Sequence, residues 1–307
     1  MFRRLRSVYY RGFSALTATA EGAMRSECAR RKASYDNPIG RCSGKTFSQA
    51  DEDGMISEIL RRIGLARGTY CEFGVGNGAE CNTLALAARG WRGFWISGEA
   101  ICFSTADIDP QFFRFDRSWV DLDNVVQLFR RNADAMGIEQ VDVLSFDLDS
   151  RDLFFLERLL GAGLRPAVAV VEYNAKFAPS IRWSVAPEDS APWRGTDYFG
   201  ASLASLAGLF GEFGYRLVAC NPATGANAFF VRGDFSRSFD DVPDAIEELY
   251  VEPYFDVPRF GHPCDPRTVR RAFAIGEAID RGEARPEFTS GIGTGERPTG
   301  GEQRWIS

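Results

Sequence analysis

The amino-acid sequence predicts an α/β fold in which a doubly wound, mostly parallel sheet of seven strands is closed by an antiparallel C-terminal hairpin. Apolar runs of strand length alternate with helical patterns along residues 46–233, which is typical of parallel strands joined by helices. A glycine-rich turn, residues 74–78, directly follows the first run. The last two runs are joined by a short Pro/Gly/Asn-rich loop that leaves no room for a crossover helix, so this pair has to be antiparallel.

The individual elements follow from these patterns. Strands are predicted at Tyr70–Phe73, Phe94–Ile96, Phe113–Val120, Val141–Phe146, Ala167–Glu172, Tyr215–Ala219 and Ala228–Val231. Helices are predicted at Ala79–Arg89, Asp123–Ala135, Arg151–Leu160 and Gly200–Phe213, and a further helix, with Met55, Ile56 and Ile59 on its apolar side, precedes the first strand.

The rest of the chain is divided by composition. Residues 1–45 are expected to form an irregular arm, residues 234–283 a helical appendage, and the Gly- and Pro-rich residues 284–307 a disordered tail. The net charge of −6 argues against nucleic acid as a partner, and no apolar run has the length of a membrane span. Seven cysteines without a C-x-x-C pair are expected to be reduced thiols, which predicts a cytoplasmic location.

The glycine turn predicts a binding site for a polar ligand, because glycines let the backbone approach closely and the amides of a following helix start face the ligand. Glu72 precedes Gly74 by two residues and can face a cationic amino-acid group. Glu99 follows the next strand, where an acid usually binds ribose hydroxyls. Acids at both places favour S-adenosylmethionine over NAD. The predicted cofactor-binding residues are Glu72, Gly74, Gly76, Asn77, Gly78, Glu99 and Asp147.

Several stretches, in this order along the chain, carry a family resemblance: Phe47–Gly54, Glu72–Thr83, Trp91–Trp95, Val143–Asp149, Val171–Asn174, Asp197–Leu203 and Asn227–Arg232. Together they resemble FkbM-like class I S-adenosylmethionine-dependent methyltransferases over residues 46–233. The resemblance implies the Rossmann-like fold of that class, with its closing hairpin. It implies little about the acceptor, because the family is diverse. The chain has Asp149-Ser150-Arg151-Asp152 where the family usually has Asp-Gly-Asn-Asp.

Acidic residues end the fourth and fifth predicted strands, at the edge where an open parallel sheet binds its ligands. Asp147, Asp149 and Glu172 are the predicted catalytic residues, and strand alternation would place the first two on one face. One of these carboxylates could take the proton of an acceptor hydroxyl. Alternatively, Asp149, Glu172 and Asn174 could hold Mg²⁺ and a substrate diol. In a third interpretation, the acids bind backbone amides and the amino group of the cofactor.

Aromatic residues of the long segment after the fifth strand are predicted to roof the acceptor site. Trp193, Asp197 and Tyr198 are the candidates, and the alternative is that they anchor the loop. His262 is the only histidine, which excludes metal sites that need two histidines. It is expected to be structural, with an acid–base role over the site as the alternative.

These observations favour a methyltransferase that acts on a hydroxyl of a small molecule, a sugar or a secondary metabolite. An NAD-dependent oxidoreductase is a second hypothesis, because residues 74–79 also fit G-x-G-x-x-A, but Tyr173 and Lys176 are one residue too close for a Tyr-x-x-x-Lys pair. A non-catalytic binding protein on the same fold is a third. The expected partner is a small-molecule acceptor, and a homodimer is a further expectation.

Overall fold

The structure is a computed structural model that describes residues 22–253, 265–268 and 270–271. Its centre is one sheet of seven strands in the order β3-β2-β1-β4-β5-β7-β6. Strand β7 is antiparallel to both neighbours and the other pairs are parallel. The strands are β1 Thr69–Phe73, β2 Arg92–Ser97, β3 Phe113–Arg117, β4 Val143–Phe146, β5 Val168–Glu172, β6 Tyr215–Cys220 and β7 Asn227–Arg232. This order, with its reversed seventh strand, is a class I methyltransferase-like fold, which confirms the predicted fold class.

Helices cover both faces of the sheet. They are α1 (residues 22–34), α2 Glu52–Arg62, α3 Leu84–Ala87, α4 Val125–Ala135, α5 Asp152–Gly161, α6 Leu203–Glu212 and α7 Ile246–Leu249. Two 3-10 segments, Gly40–Cys42 and Gly233–Phe239, complete the set, and residues 266–268 and 270–271 are also helical. No helix within the described ranges is both long and apolar enough to span a bilayer.

Side chains alternate between two apolar cores along each strand, as the pleat requires. Cys71 and Phe73 of β1 point into the core that α4, α5 and α6 complete. Tyr70 lies in the opposite core, where Met55 of α2 and Leu86 of α3 pack. Because both faces are covered, the central strands are apolar at nearly every position, and this is the pattern that made them predictable.

The prediction of an irregular arm over residues 1–45 is wrong for its described part. Residues 22–34 form helix α1, and the chain that follows is fixed on the sheet: Asn37 Nδ2 donates to the Val218 carbonyl at 2.9 Å, and Ile39 is fully buried. Helix α1 has few apolar residues and carries a surface Glu27–Arg30 pair instead, so hydrophobic periodicity could not identify it. The predicted disordered tail, residues 284–307, lies outside the described residues.

Candidate functional site

The glycine turn after β1 adopts a backbone that only glycine takes up readily. Gly74, Gly76 and Gly78 have φ of 80°, 52° and 79°. A Cβ on Gly74 would lie 1.4 Å from the carbonyl oxygen of Asp147, whereas a Cβ on Gly76 would meet nothing within 4 Å. Gly74 therefore lets the β1 turn pack against the segment after β4, and Gly76 presents bare backbone to open space.

The neighbouring Glu72 is buried, with 5% of its surface exposed, and its carboxylate is fully occupied by protein donors. Its Oε1 accepts from the Asn82 amide at 2.8 Å and from Ser145 Oγ at 3.2 Å. Its Oε2 accepts from the amide and the hydroxyl of Thr83, at 3.0 and 2.5 Å. These four bonds use the roughly four lone-pair positions of a carboxylate. Direct contact with a cofactor amino group would require one of them to open, so that role of Glu72 stays a prediction.

The same bonds correct the helix predicted at Ala79–Arg89. Glu72 holds the amides of Asn82 and Thr83 within the protein, and helix α3 begins only at Leu84. Trp95 Nε1 donates to Thr83 Oγ1 at 2.9 Å and fixes this corner further. The expectation that free amides of a helix start face the ligand is therefore wrong for these two groups. The open backbone around Gly76 is what the turn offers to a ligand.

The other end of the predicted cofactor site lies beyond β2. Glu99 is exposed there, two residues after the end of the strand, and its amide hydrogen bonds to Ser97 Oγ at 3.4 Å. The carbonyl of Asn77 in the glycine turn accepts from the Cys102 amide at 2.7 Å, which ties the turn to the Glu99 loop. Glu99 thus lies at the crevice edge where the sequence places a ribose-binding acid.

An exposed aromatic ring that was not among the predicted site residues lies against Gly98, the residue before Glu99. Trp119 follows β3 and is 76% exposed, yet its ring lies against Gly98, where a Cβ would come within 2.3 Å of it. An open aromatic face at this position is suited to stacking on a planar ring. The sequence feature that could have identified Trp119 is its position just after the carboxyl end of a parallel strand.

The carboxyl ends of β4 and β5 bring three acids together. Asp147, Asp152 and Glu172 each offer one carboxylate oxygen, and these oxygens lie within 4.8 Å of one another. Asp152 is buried (1% exposed), whereas Asp147 and Glu172 are partly exposed. We call these three residues the acidic cluster. Asp147 and Glu172 come from the predicted catalytic set, and Asp152 was missed as a functional residue although it is the first residue of α5.

Burial raises the pKa of all three carboxyl groups. Loss of water contact is the largest cause at each, and the neighbouring carboxylates add to it. The pKa of Asp152 rises to about 7. The pKa values of Asp147 and Glu172 are raised well above their ordinary range, and these two share a hydrogen bond that requires a proton on one of them. Asp152 can therefore exchange a proton near neutral pH.

Asp149, a predicted catalytic residue, is placed differently from the expectation. The strand alternation that was to align it with Asp147 ends at Phe146, the last residue of β4. Asp149 has a φ of 51°, and it is the single non-glycine with positive φ in the described part of the chain. Its charge still raises the pKa of both Asp147 and Glu172. Its role as a base stays a prediction, and the turn does not require a glycine at position 150.

The proposed metal set of Asp149, Glu172 and Asn174 is not assembled. Asn174 is buried, and its Nδ2 donates to the carbonyls of Asp197 and Phe199 at 2.8 and 3.1 Å. Its Oδ1 accepts from the Lys176 amide at 3.3 Å. Because the amide side chain anchors the segment that crosses the site, it is not presented as a metal ligand.

The predicted acceptor residues Asp197 and Tyr198 are also buried in protein contacts. Asp197 pairs with Lys176 and accepts from the Asp265 amide at 2.8 Å and from Thr268 Oγ1 at 2.7 Å. The guanidinium of Arg267 lies 4.3 Å from the centroid of the Tyr198 ring.

These contacts support the alternative, in which the residues anchor chain segments, here residues 265–268 against the loop. Trp193 is 37% exposed and its indole nitrogen donates to the Thr196 carbonyl at 2.6 Å, so an acceptor contact by its ring stays a prediction. His262 lies outside the described residues.

No known protein family and no curated protein matches the chain. Among solved structures, the chain is similar to one titled for the conversion of a disulfide bond into a thioacetal group during echinomycin biosynthesis. The TM-score is 0.32 at 20% identity, over 61% of this chain and 84% of that chain. It is also similar to a protein of Streptococcus thermophilus named as a hemolysin, with a TM-score of 0.36 at 11% identity over 78% of each chain. These likenesses are too weak to carry an argument about function.

Proposed function

We propose that the protein is an S-adenosylmethionine-dependent methyltransferase that methylates a hydroxyl group of a small molecule, a sugar or a secondary metabolite. The observation that carries the proposal is the open glycine turn at the carboxyl end of β1, in a sheet whose seventh strand is reversed. Such a turn suits close approach of a ligand to the backbone. The reversed strand is typical of class I methyltransferases and not of dehydrogenases.

The residues around the turn fit a nucleoside ligand at one end. The exposed Glu99 carboxylate can accept hydrogen bonds from two ribose hydroxyls, and the open face of Trp119 can stack on the base. At the amino-acid end of the ligand, the sequence predicted contact with the Glu72 carboxylate, but this carboxylate already accepts hydrogen bonds from Asn82 and Thr83. The bare amide backbone near Gly76 is the alternative group for that end of the ligand.

Methyl transfer from a sulfonium is an in-line displacement in which the cofactor supplies the electrophilic methyl group and the leaving sulfur. The acceptor oxygen forms a bond to the methyl carbon as the carbon–sulfur bond breaks, and its proton has to leave. The acidic cluster lies beside the turn, because Gly74 packs on the carbonyl of Asp147. A carboxylate of Asp147 or Glu172 accepts the proton, and the two strand ends hold the acceptor in line.

Calorimetry with S-adenosylmethionine and S-adenosylhomocysteine tests the proposal. We expect both to bind the purified chain and Glu99→Gln to weaken them by about tenfold, since a charged hydrogen bond to the ribose contributes about 1.5 kcal/mol or more. Glu80→Gln is the matched control, because Glu80 is an exposed acid just after the glycine turn that pairs with Lys45. Binding of NADH in place of either ligand, or equal losses in the two variants, would contradict the proposal.

A further inference from the structure

The acidic cluster of Asp147, Asp152 and Glu172 is built from three separate segments of the chain. Asp147 follows β4, Asp152 begins α5, and Glu172 ends β5. The pairing of β4 with β5 and the start of α5 fix these positions, so the cluster does not depend on a flexible surface loop. In the described part of the chain, no Lys or Arg forms an ion pair with any of the three.

Two oxygen atoms in the cluster are buried without a hydrogen-bond partner among the described residues. They are Oδ1 of Asp152, in a residue that is 1% exposed, and Oε2 of Glu172. The other oxygen of Asp152 accepts from the Leu148 amide at 3.1 Å, which fixes the orientation of this carboxylate. Buried acceptors are nearly always paired, so unpaired oxygens at a cluster of carboxylates suit a positively charged ligand that binds there.

The spacing of the oxygens suits a small, hard cation. Around Mg²⁺, with metal–oxygen distances of about 2.1 Å, ligand oxygens are about 3 Å apart when adjacent and about 4.2 Å apart when opposite. Both spacings are shorter than 4.8 Å. The oxygens offered by Asp147, Asp152 and Glu172 lie within 4.8 Å of one another, and all are hard carboxylate ligands.

We propose that Asp147, Asp152 and Glu172 form a site for a divalent cation, Mg²⁺ or Mn²⁺. Each residue gives one oxygen, and the remaining coordination positions face the crevice beside the glycine turn. A cation there can bind the acceptor hydroxyl and lower its pKa, while a carboxylate oxygen outside the coordination sphere takes the proton. This ligand set differs from the one predicted from the sequence. Asp152 takes the place of Asp149, and the side chain of Asn174 is hydrogen-bonded to the Asp197 carbonyl instead.

Manganese titration of the full chain, cleared of metal with EDTA and followed by the paramagnetic resonance signal of free Mn²⁺, tests the site. We expect one Mn²⁺ to bind, Mg²⁺ to compete for it, and Asp152→Asn and Glu172→Gln each to weaken binding by at least about tenfold. Asp149→Asn is the comparison variant: it removes a neighbouring negative charge but no ligand oxygen, so it should weaken binding less than either ligand variant. Circular dichroism verifies that each variant folds. If Asp152→Asn does not fold, the Mn²⁺ affinity of Glu172→Gln alone tests the site.

The proposal is overturned if Mn²⁺ does not bind at millimolar concentration, or if the Asp149 variant loses as much affinity as the Asp152 and Glu172 variants. Because the titration contains neither cofactor nor acceptor, its outcome is independent of the proposed methyl transfer. Binding of S-adenosylhomocysteine without a Mn²⁺ site would refute the cation proposal alone. A Mn²⁺ site without binding of S-adenosylhomocysteine would refute the methyltransferase alone.

Discussion

Replacement of Gly74 by alanine isolates the contact that joins the glycine turn to the acidic cluster. The new Cβ would lie 1.4 Å from the Asp147 carbonyl oxygen and 2.6 Å from its carbon. Ordinary contact begins near 3.4 Å, so the two segments have to separate by about 2 Å. The neighbour is backbone and cannot rotate out of the way as a side chain could. We expect Gly74→Ala to displace the segment after β4 as well as strain its own residue.

The matched control is Gly90→Ala. Gly90 has a φ of 83°, against 80° at Gly74, but a Cβ there would meet nothing within 4 Å. Both variants carry the cost of an alanine at positive φ, about 1–2 kcal/mol. Overpacking adds about 1–3 kcal/mol or more at Gly74 alone. The difference between the two free energies of unfolding therefore measures the contact and not the backbone angle.

Urea unfolding gives the two free energies, and hydrogen–deuterium exchange locates the effect. We expect Gly74→Ala to lose at least about 1 kcal/mol more than Gly90→Ala. Exchange should accelerate over residues 147–152 in the Gly74 variant and stay unchanged there in the Gly90 variant. Equal losses of stability, or unchanged exchange at residues 147–152 in Gly74→Ala, would refute the claim that this glycine supports the position of Asp147.

Three further substitutions have defined outcomes. Glu72→Gln replaces an oxygen that accepts two hydrogen bonds and should destabilise the fold by about 2–3 kcal/mol in urea unfolding; a loss below about 0.5 kcal/mol would contradict the assigned bonds. The hydrogen bond from Arg61 helps lower the pKa of Glu58 from 4.5 to about 2, so Glu58 stabilises the fold above pH 4.5 and loses this effect as the pH falls toward 2. Glu58→Gln should therefore cost about 1 kcal/mol at pH 6 and less at pH 3, and a constant difference would refute the pairing. Asp197→Ala removes the acceptor of Thr268 and should speed tryptic cleavage within residues 265–271 relative to wild type, whereas unchanged cleavage would show that this contact does not anchor the segment.

The sheet was predictable because its signal is local. In β5 the run Val168–Val171 is apolar at every position and ends at a carboxylate, and burial on both faces produces this pattern in any sequence that forms such a strand. Helix α3 was predicted too long for the opposite reason. The amides of Asn82 and Thr83 are held by Glu72, ten and eleven residues earlier at the end of β1, and these bonds override the local helical spacing.

The acidic cluster was predictable in part, and the missing part has a physical cause. Asp147 and Glu172 follow strands, so their meeting at one sheet edge follows from parallel pairing. Asp152 reaches the same point because the chain turns back at Asp149, which adopts a φ of 51°. Aspartate is tolerated at positive φ, but an aspartate in a sequence does not indicate that conformation as a glycine does. The sequence therefore predicted Asp149 as a metal ligand, whereas the structure places Asp152 in the acidic cluster.

The register of the sheet explains why polar chemistry is confined to one edge of one face. Ser145 pairs with Glu72 and Val170, and Glu172 pairs with Asn227, so these side chains share the face of the core that α2 closes. In β1, β4 and β5 the last residue on that face is polar, and Glu52, the first residue of α2, lies at the same edge, where it accepts from Asn227 Nδ2 at 3.0 Å. A charged group one pleat earlier would lie inside the core and be costly. A ligand therefore has to enter from the carboxyl edge, because that is where this face of the sheet is polar.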